Sequence, residues 1–446
     1  MSELQIYIVL GVFGAVILAI AFNLMDMAVA ALIGVCVLIA LGILNEQDLL
    51  SATRTSGGPI SLLFGGMVVA RILSTTGIFD RIGDLYLSAT GGSGRRFLLL
   101  LIALVAPLCA FLPNATTVIL IAPIIIRVAV ALEVDIVGPM VLTAIVSNSA
   151  GLLTLVGDPA TFLVGSSIGM TFGEYLHRVS LGGVVALLVI VPLLPLLMPD
   201  LWRLRRPLPP RAQPRQLERP VYAALSLAVL LTMVGLFVFG EHLPTRLVPP
   251  TVAMIASALA LLVGYEARFE PTDSVLRDVD WKTLLFLGCI FCLVQAVTKT
   301  GLIQIMALKL QASFGTQLTL VALVMIAAIG LLSSLLANVP VAAASILMVK
   351  GYLVAAEVVP DAALAEQFTQ WPAATIPVFV GMMFGATLGG NATLIGASAN
   401  IVAAGICARE GKPVTFATYM RYGLPITVAQ LAASAVYVIV LTRLMR

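Results

Sequence analysis

The chain alternates long apolar runs with short polar punctuation, and run length sets what each can become. About 20 mostly apolar residues suffice to cross a bilayer. Such runs cover about 5–22, 27–44, 58–75, 178–198, 221–239, 248–264, 281–298 and 422–442. Two more, about 138–170 and 373–407, are long enough to cross but are interrupted by glycine and polar residues. Two others, about 97–132 and 317–356, hold paired apolar arms around a short polar tip. They predict re-entrant hairpins, tolerated at membrane depth only where protein buries them or water reaches them. The first run follows Glu3, has no basic region before it and shows no convincing A-x-A cleavage site. It is expected to be a span and not a signal peptide.

The same motifs recur in the same order. SLLFGG (61–66) pairs with TLLFLG (283–288), and STTG (74–77) with TKTG (298–301). LPNATTV (112–118) pairs with LANVPVA (336–342), aligning Asn114 with Asn338. TLVGDPAT (154–161) pairs with TLIGASAN (393–400), and TFGEYLHR (171–178) with TFATYMRY (415–422). Each half then holds five crossings and one hairpin, and an odd count inverts the second copy. The predicted fold is an all-α polytopic membrane protein of two inverted repeats, 1–198 and 221–446, joined by a linker at 199–220. Inverted repeats with helices broken near the midplane are the architecture of secondary transporters.

Composition agrees: 60% of residues are hydrophobic and 11% charged, against roughly 25% charged in soluble domains. With a net charge of +3 and no basic tract interleaved with aromatics, nucleic acid is not an expected partner. Five cysteines and two histidines are too scattered for a disulfide framework or a metal site. No cofactor is expected. Cys109, Cys289 and Cys292 offer soft ligands for metalloids, but their setting is that of small buried hydrophobes.

Charge sets sidedness. The linker carries Arg203, Arg205, Arg206, Arg211, Arg215 and Arg219 against two acids, which places it in the cytoplasm. Counting crossings puts Arg81, Arg95, Arg96, Arg268, Arg277, Lys282, Arg409, Lys412 and Arg421 on that side as well. Glu357, Asp361 and Glu366 fall outside, with both termini and with Arg443 and Arg446. The expected location is the inner (plasma) membrane.

Glycine and proline in the two breaks free backbone groups that cost several kcal/mol each if left unpaired in hydrocarbon. A solute, ion or water would satisfy them, and half-helix N-termini suit oxyanions or hydroxyl oxygens. The candidate binding residues are Asn114, Thr116, Thr117 and Asn338 at the tips. Around the breaks they are Asn148, Thr154, Gly157, Asn391, Thr393, Gly396, Ser398 and Asn400. Singly, such side chains often only join helices; as a symmetric set they outline a site. Asp158 breaks the symmetry, since Ala397 is its counterpart. An ionisable group within a membrane is a functional-site hypothesis by default, and the expected role is proton coupling. The bland role, capping the second half-helix ahead of Pro159, is compatible with it. Asp26 is expected in a short cytoplasmic turn, with Arg71, Arg127 and Lys299 near helix ends, where such side chains snorkel.

These hairpins, FLPNATTVILIAPI and LLANVPVAAASI, with the breaks TLVGDPAT and TLIGASAN, resemble the ion transporter superfamily. Within it the chain is most similar to the arsenite permease (arsenical pump membrane protein) family, over nearly its whole length. The resemblance implies an elevator-type carrier with a scaffold and a moving transport domain. It assigns Asn114, Thr116, Thr154 and Asp158 to one half-site, and Asn338, Thr393, Ser398 and Asn400 to the other. Dicarboxylate carriers of the superfamily have Ser-Asn-Thr at both tips, where this chain has PNAT and ANVP. Arsenite permeases often place an acid after the tip Asn, where this chain has Ala115, so the coupling group is expected at Asp158.

Arsenite at neutral pH is an uncharged trihydroxide that needs hydrogen-bonding groups and no buried cation, as the tips and breaks provide. Arsenite export (antimonite equally) against proton influx is the first reading. Sodium/proton antiport is the second and organic-anion (dicarboxylate) transport the third. A separate ATPase subunit and a homodimer are left open as partners. An enzyme is not expected. VGDP lacks the first glycine of the G-x-G-D element of intramembrane aspartyl proteases, no second intramembrane aspartate is evident, and no H-E-x-x-H occurs.

Overall fold

The structure is a computed structural model that describes residues 2–21, 24–207, 219–268, 271–365 and 368–445. Arg211, Arg215, Glu366 and Arg446 lie outside the described residues. Apart from one isolated bridge between Ser93 and Arg205, regular structure there is helical, and ten helices are long and apolar enough to cross a membrane.

The first half runs α1 (Glu3–Ala21), α2 (Met27–Ala40), α3 (Glu46–Thr75), α4 (Ile78–Thr90), α5 (Gly94–Cys109), α6 (Asn114–Ala131), α7 (Val137–Ala150) and α8 (Pro159–Ser167). It closes with α9 (Phe172–Leu197), which contains one π-helical turn at Leu176–Ser180. The second half repeats this helix for helix. It runs α10 (Pro220–Phe239), α11 (Pro249–Ala267), α12 (Trp281–Lys299), α13 (Leu302–Phe314), α14 (Leu318–Leu335), α15 (Asn338–Ala355), α16 (Ile376–Gly389), α17 (Ser398–Arg409) and α18 (Phe416–Leu444). The hairpins are α5–α6 and α14–α15; the breaks separate α7 from α8 and α16 from α17.

Two ion pairs fix the relative sense of the halves. Asp48, at the start of α3, meets Lys299, at the end of α12, at 2.7 Å. Arg71, near the end of α3, meets Asp278, just before α12, also at 2.7 Å. The equivalent helices α3 and α12 therefore run antiparallel, as inverted repeats require.

Several details differ from the hydropathy reading, for local reasons. The α3 helix starts twelve residues before 58, because Asn45 and Asp48 close a capping box that launches it early. Helices α4 and α13 were hidden by their polar faces. On α4, Asp80 and Asp84 stand one turn apart and each binds Arg127 at 2.9 Å. Arg127, Arg71 and Lys299 are thus held by carboxylates. Asp26 caps α2 through Ala28 N (3.0 Å) and pairs with Lys282 at 2.9 Å. That hydrogen bond to Lys282 holds the Asp26 carboxyl below its ordinary range.

Packing exchanges parts between the halves. The half-helix α8 packs on α15 and α16 of the second half, and α17 packs on α6 and α7 of the first. Helices α7 and α16 are buried along nearly their whole length. Helices α2, α3, α11 and α12 pack on one another, with α1 against α2 and α10 against α11.

Candidate functional site

Four helices begin at the centre of the molecule, two at hairpin tips and two at breaks. Their first residues, Asn114 (α6), Pro159 (α8), Asn338 (α15) and Ser398 (α17), line one cavity of about 110 Å³. A helix N-terminus leaves backbone N–H groups without intrahelical partners and carries a partial positive charge. No side-chain cap closes α6, α15 or α17. Only α8 is capped, by Asp158. The Asp158/Ala397 asymmetry is thus one of capping: the Asp158 side chain meets the Ala160 and Thr161 amides at one break, and no side chain caps the start of α17 at the other.

Asp158 is 4% exposed. Its Oδ1 accepts from Ala160 N (2.8 Å) and Thr161 N (3.4 Å), and its Oδ2 accepts from Asn114 Nδ2 (3.2 Å). The same Asn114 nitrogen reaches Asn148 Oδ1 at 3.4 Å, and Asn148 Nδ2 donates to Asn400 Oδ1 at 2.9 Å. Asn400 Nδ2 ends the chain on Gly390 O and Thr393 O, both 2.8 Å away. A line of amides therefore runs from the Asp158 carboxylate to the opposite break. The Asn338 amide nitrogen donates to Ser333 Oγ (2.9 Å), Ala386 O (3.1 Å) and Gly396 O (3.0 Å), fastening the second tip to its own break.

Of the residues expected at the site, Asn114, Asn148, Asp158, Asn338 and Ser398 line the cavity. The others stand behind it. Thr154 and Thr393 are equivalent, and their hydroxyls donate to Ala110 O and Ser334 O, tying each break to its hairpin. Gly157 and Gly396 allow the backbone of each break to fold on itself. An added Cβ would stand 2.8 Å from Gly151 O in the first and 2.5 Å from Gly390 O in the second. Asn400 acts through Asn148. Asn391 belongs to a separate buried network, donating to Ser149 Oγ and Gln430 Oε1 at 3.0 Å each. Thr116 is half-buried off the cavity, and Thr117 is buried on α6 behind it. Among the described residues no group of three His, Cys, Asp or Glu side chains could hold a metal ion.

The sequence reading missed the scaffold wall, which includes Leu63, Met67, Phe286, Leu287, Asp280 and Thr283. Asp280 caps α12, accepting from Thr283 N at 3.1 Å and from Thr283 Oγ1 at 2.5 Å. An acid two residues before a span's lysine, with a threonine three on, is a readable N-cap. Nothing in one dimension, however, places it opposite Asp158.

The citrate transporter family profile matches residues 17–366. An uncharacterized transporter of Synechocystis sp. is 39% identical over 430 residues, covering 96% of each chain. The human P protein is 27% identical over 517 residues, which cover 98% of this chain and 60% of that protein. Among solved structures, the Alcanivorax borkumensis YdaH transporter aligns with a TM-score of 0.56 at 12% identity, over 88% of this chain and 86% of that one. The last likeness concerns the fold alone.

Proposed function

We propose, from the premise that the chain belongs to the citrate transporter family, that it is a secondary active carrier of a small, oxygen-rich solute, coupled to protons at Asp158. The observation that carries this reading is the meeting of four helix N-termini and the Asp158 carboxylate on one cavity with no Lys, Arg or His among its described lining residues. Uncapped N-termini and the amides of Asn114, Asn148 and Asn338 offer donors and acceptors to hydroxyl or carboxylate oxygens. At about 110 Å³ the cavity is well below the roughly 300–1,000 Å³ of drug-sized ligand pockets. Its size and lack of basic side chains favour an uncharged trihydroxide, so arsenite, with antimonite, stands first.

Family membership favours a second cargo, an organic anion. Its charge would be met by the helix N-termini and by protonation of Asp158. The hairpins, the breaks and the half-helices would move as a unit against the group built on α2, α3, α11 and α12. Two equivalent contacts support such movement. The first tip abuts the scaffold, since a Cβ on Gly66 would lie 2.7 Å from Pro113 Cδ, whereas the equivalent Gly288 faces open space. The cavity reaches Met27 and Asp280, the helix ends that the Lys and Arg pattern assigns to the cytoplasm, so this arrangement reads as inward-facing.

The test is flux in inverted membrane vesicles carrying the protein, with arsenite, citrate and sodium offered separately under an imposed proton gradient. Gradient-dependent arsenite movement is the expected result. Citrate movement without arsenite movement would promote the organic-anion reading. Sodium-driven proton movement alone would replace both.

A further inference from the structure

Three asparagines join the two breaks, and the polarity of their hydrogen bonds is set from both ends. At the second break, Asn400 Nδ2 donates to Gly390 O and Thr393 O, so Asn400 turns its Oδ1 to Asn148. Asn148 meets that oxygen with Nδ2 and thereby presents its own Oδ1 to Asn114. At the first break, the Asp158 carboxylate also faces Asn114 and, when ionised, can only accept. Asn114 Nδ2 therefore serves two acceptors, Asp158 Oδ2 at 3.2 Å and Asn148 Oδ1 at 3.4 Å. Its Oδ1 is left buried with no hydrogen-bond partner among the described residues, a costly condition for an acceptor.

A proton on Asp158 reverses this order one amide at a time. Asp158 Oδ1 is occupied by the Ala160 and Thr161 amides, so the proton sits on Oδ2 and points at Asn114. Asn114 must then turn its Oδ1 inward, where it accepts from Asp158 and faces Asn148 Oδ1. Asn148 turns to offer Nδ2, which puts its Oδ1 against Asn400 Oδ1. Asn400 turns in its place and lets go of Gly390 O and Thr393 O. The orphaned Asn114 oxygen gains two donors while two carbonyls lose theirs, a nearly even exchange of the kind that makes a two-state element. The inverted copy has no such chain. Ala397 stands in place of Asp158 there, and the equivalent link is the Thr161–Thr387 contact at 3.4 Å.

We propose that Asn114 is a positioning residue that turns over when Asp158 takes a proton, and that Asn148 and Asn400 carry the reversal to the second break. Release of Gly390 O and Thr393 O loosens the segment leading into Ser398, the first residue of α17 and part of the cavity lining. This deepens the proposed function, and it rests on the reading of Asp158 as the proton site. The other titratable groups around Asp158 are engaged elsewhere. Tyr175 of α9 donates to Leu152 O at 3.0 Å, and Cys109 is buried at the end of α5. Asp280, on the scaffold wall of the cavity, has both oxygens on Thr283.

The experiment is hydrogen–deuterium exchange of the full-length protein in lipid nanodiscs across a pH series, each rate divided by the intrinsic amide rate at that pH. The Ala160 and Thr161 amides report Asp158 directly, because a charged cap holds them more strongly than a neutral one. Residues 390–400 report the far end of the chain. Lowering the pH should speed exchange at both places over the same interval, at 390–400 by about tenfold for the lost contacts. Asp158→Asn caps α8 through its oxygen and aims its nitrogen at Asn114, so 390–400 should exchange at the fast rate at every pH. Asn148→Leu cuts the chain, so the step at 390–400 should vanish while that at 160–161 remains. Asp280→Asn should keep both steps. A step at 160–161 with none at 390–400 overturns the proposal and leaves Asp158 as the proton site. So does a 390–400 step that survives Asn148→Leu. Slow exchange of 390–400 in Asp158→Asn overturns it too, whether or not the Asn148 variant folds. Absence of a step at both places, or its loss in Asp280→Asn, removes the proton reading and the relay together.

Discussion

Asn148 on α7 donates through Nδ2 to Asn400 on α17 at 2.9 Å, and its mirror in the inverted repeat is the contact of Thr387 on α16 with Thr161 on α8, 3.4 Å. Each pair joins the first part of one broken helix to the second part of the other. The asparagine version is the more demanding, since Asn400 also holds Gly390 O and Thr393 O. Asn400→Ala orphans those buried carbonyls together with the Asn148 amide and should cost at least about 2 kcal/mol. The Thr161→Val, Thr387→Val double variant should cost about 1 kcal/mol. Thermal unfolding of the detergent-solubilised proteins reads the difference, and equal losses would remove the special weight given to Asn400.

Asp158 is asked to cap α8 and to couple transport, and two substitutions separate these tasks. Asparagine is as good an N-cap as aspartate, whereas alanine loses about 1 kcal/mol. Asp158→Asn should therefore unfold at the wild-type temperature while losing gradient-driven flux and keeping solute exchange. Asp158→Ala should lose both flux and stability. Full driven flux in Asp158→Asn would remove the proton role and leave the cap.

The unequal surroundings of Gly66 and Gly288 predict opposite responses to alanine. Gly66→Ala pushes a methyl into Pro113, an over-packing expected to cost about 1–3 kcal/mol. Gly288→Ala meets nothing within 4 Å and should gain up to about 1 kcal/mol from helix propensity. If movement brings the second tip onto Gly288, the same variant will slow flux despite its higher stability. Unfolding temperature and flux measured on one preparation show whether stability and rate part in this way.

Phe162 lines both the constriction of about 10 Å³ beside Asp158 and a larger cavity of about 370 Å³ between α3, α8, α12 and α15, so Phe162→Ala should make proteoliposomes leak protons. Phe162→Leu, which keeps an apolar plug, should not. The measurement is the decay of an imposed pH gradient followed with an enclosed dye, and equal decay in all three proteins would show the barrier to be elsewhere.

The inversion, the hairpins and the two breaks were legible in one dimension, because each depends on local pattern. Apolar runs set the spans, Asn-bearing tips set the hairpins, and Gly and Pro at 157 and 159 end a helix wherever they occur. Helices α4 and α13 were not legible, because their polar faces interrupt the apolar runs. The candidate set was divided by depth. Asn114 and Thr154 look alike in the sequence, yet one faces the cavity and the other is spent on Ala110 O.

By itself the sequence determined a doubled, inverted helical membrane protein with one unmatched acid at a broken helix, since periodicity and breaker residues act over a few turns. Only the tertiary structure decided that α8 and α17 cross onto the opposite hairpins, that four N-termini share one cavity, and that Asp280 and Leu287 close its far wall. Those facts depend on which helix faces pack together, and the energy that selects them is summed over contacts between residues distant along the chain.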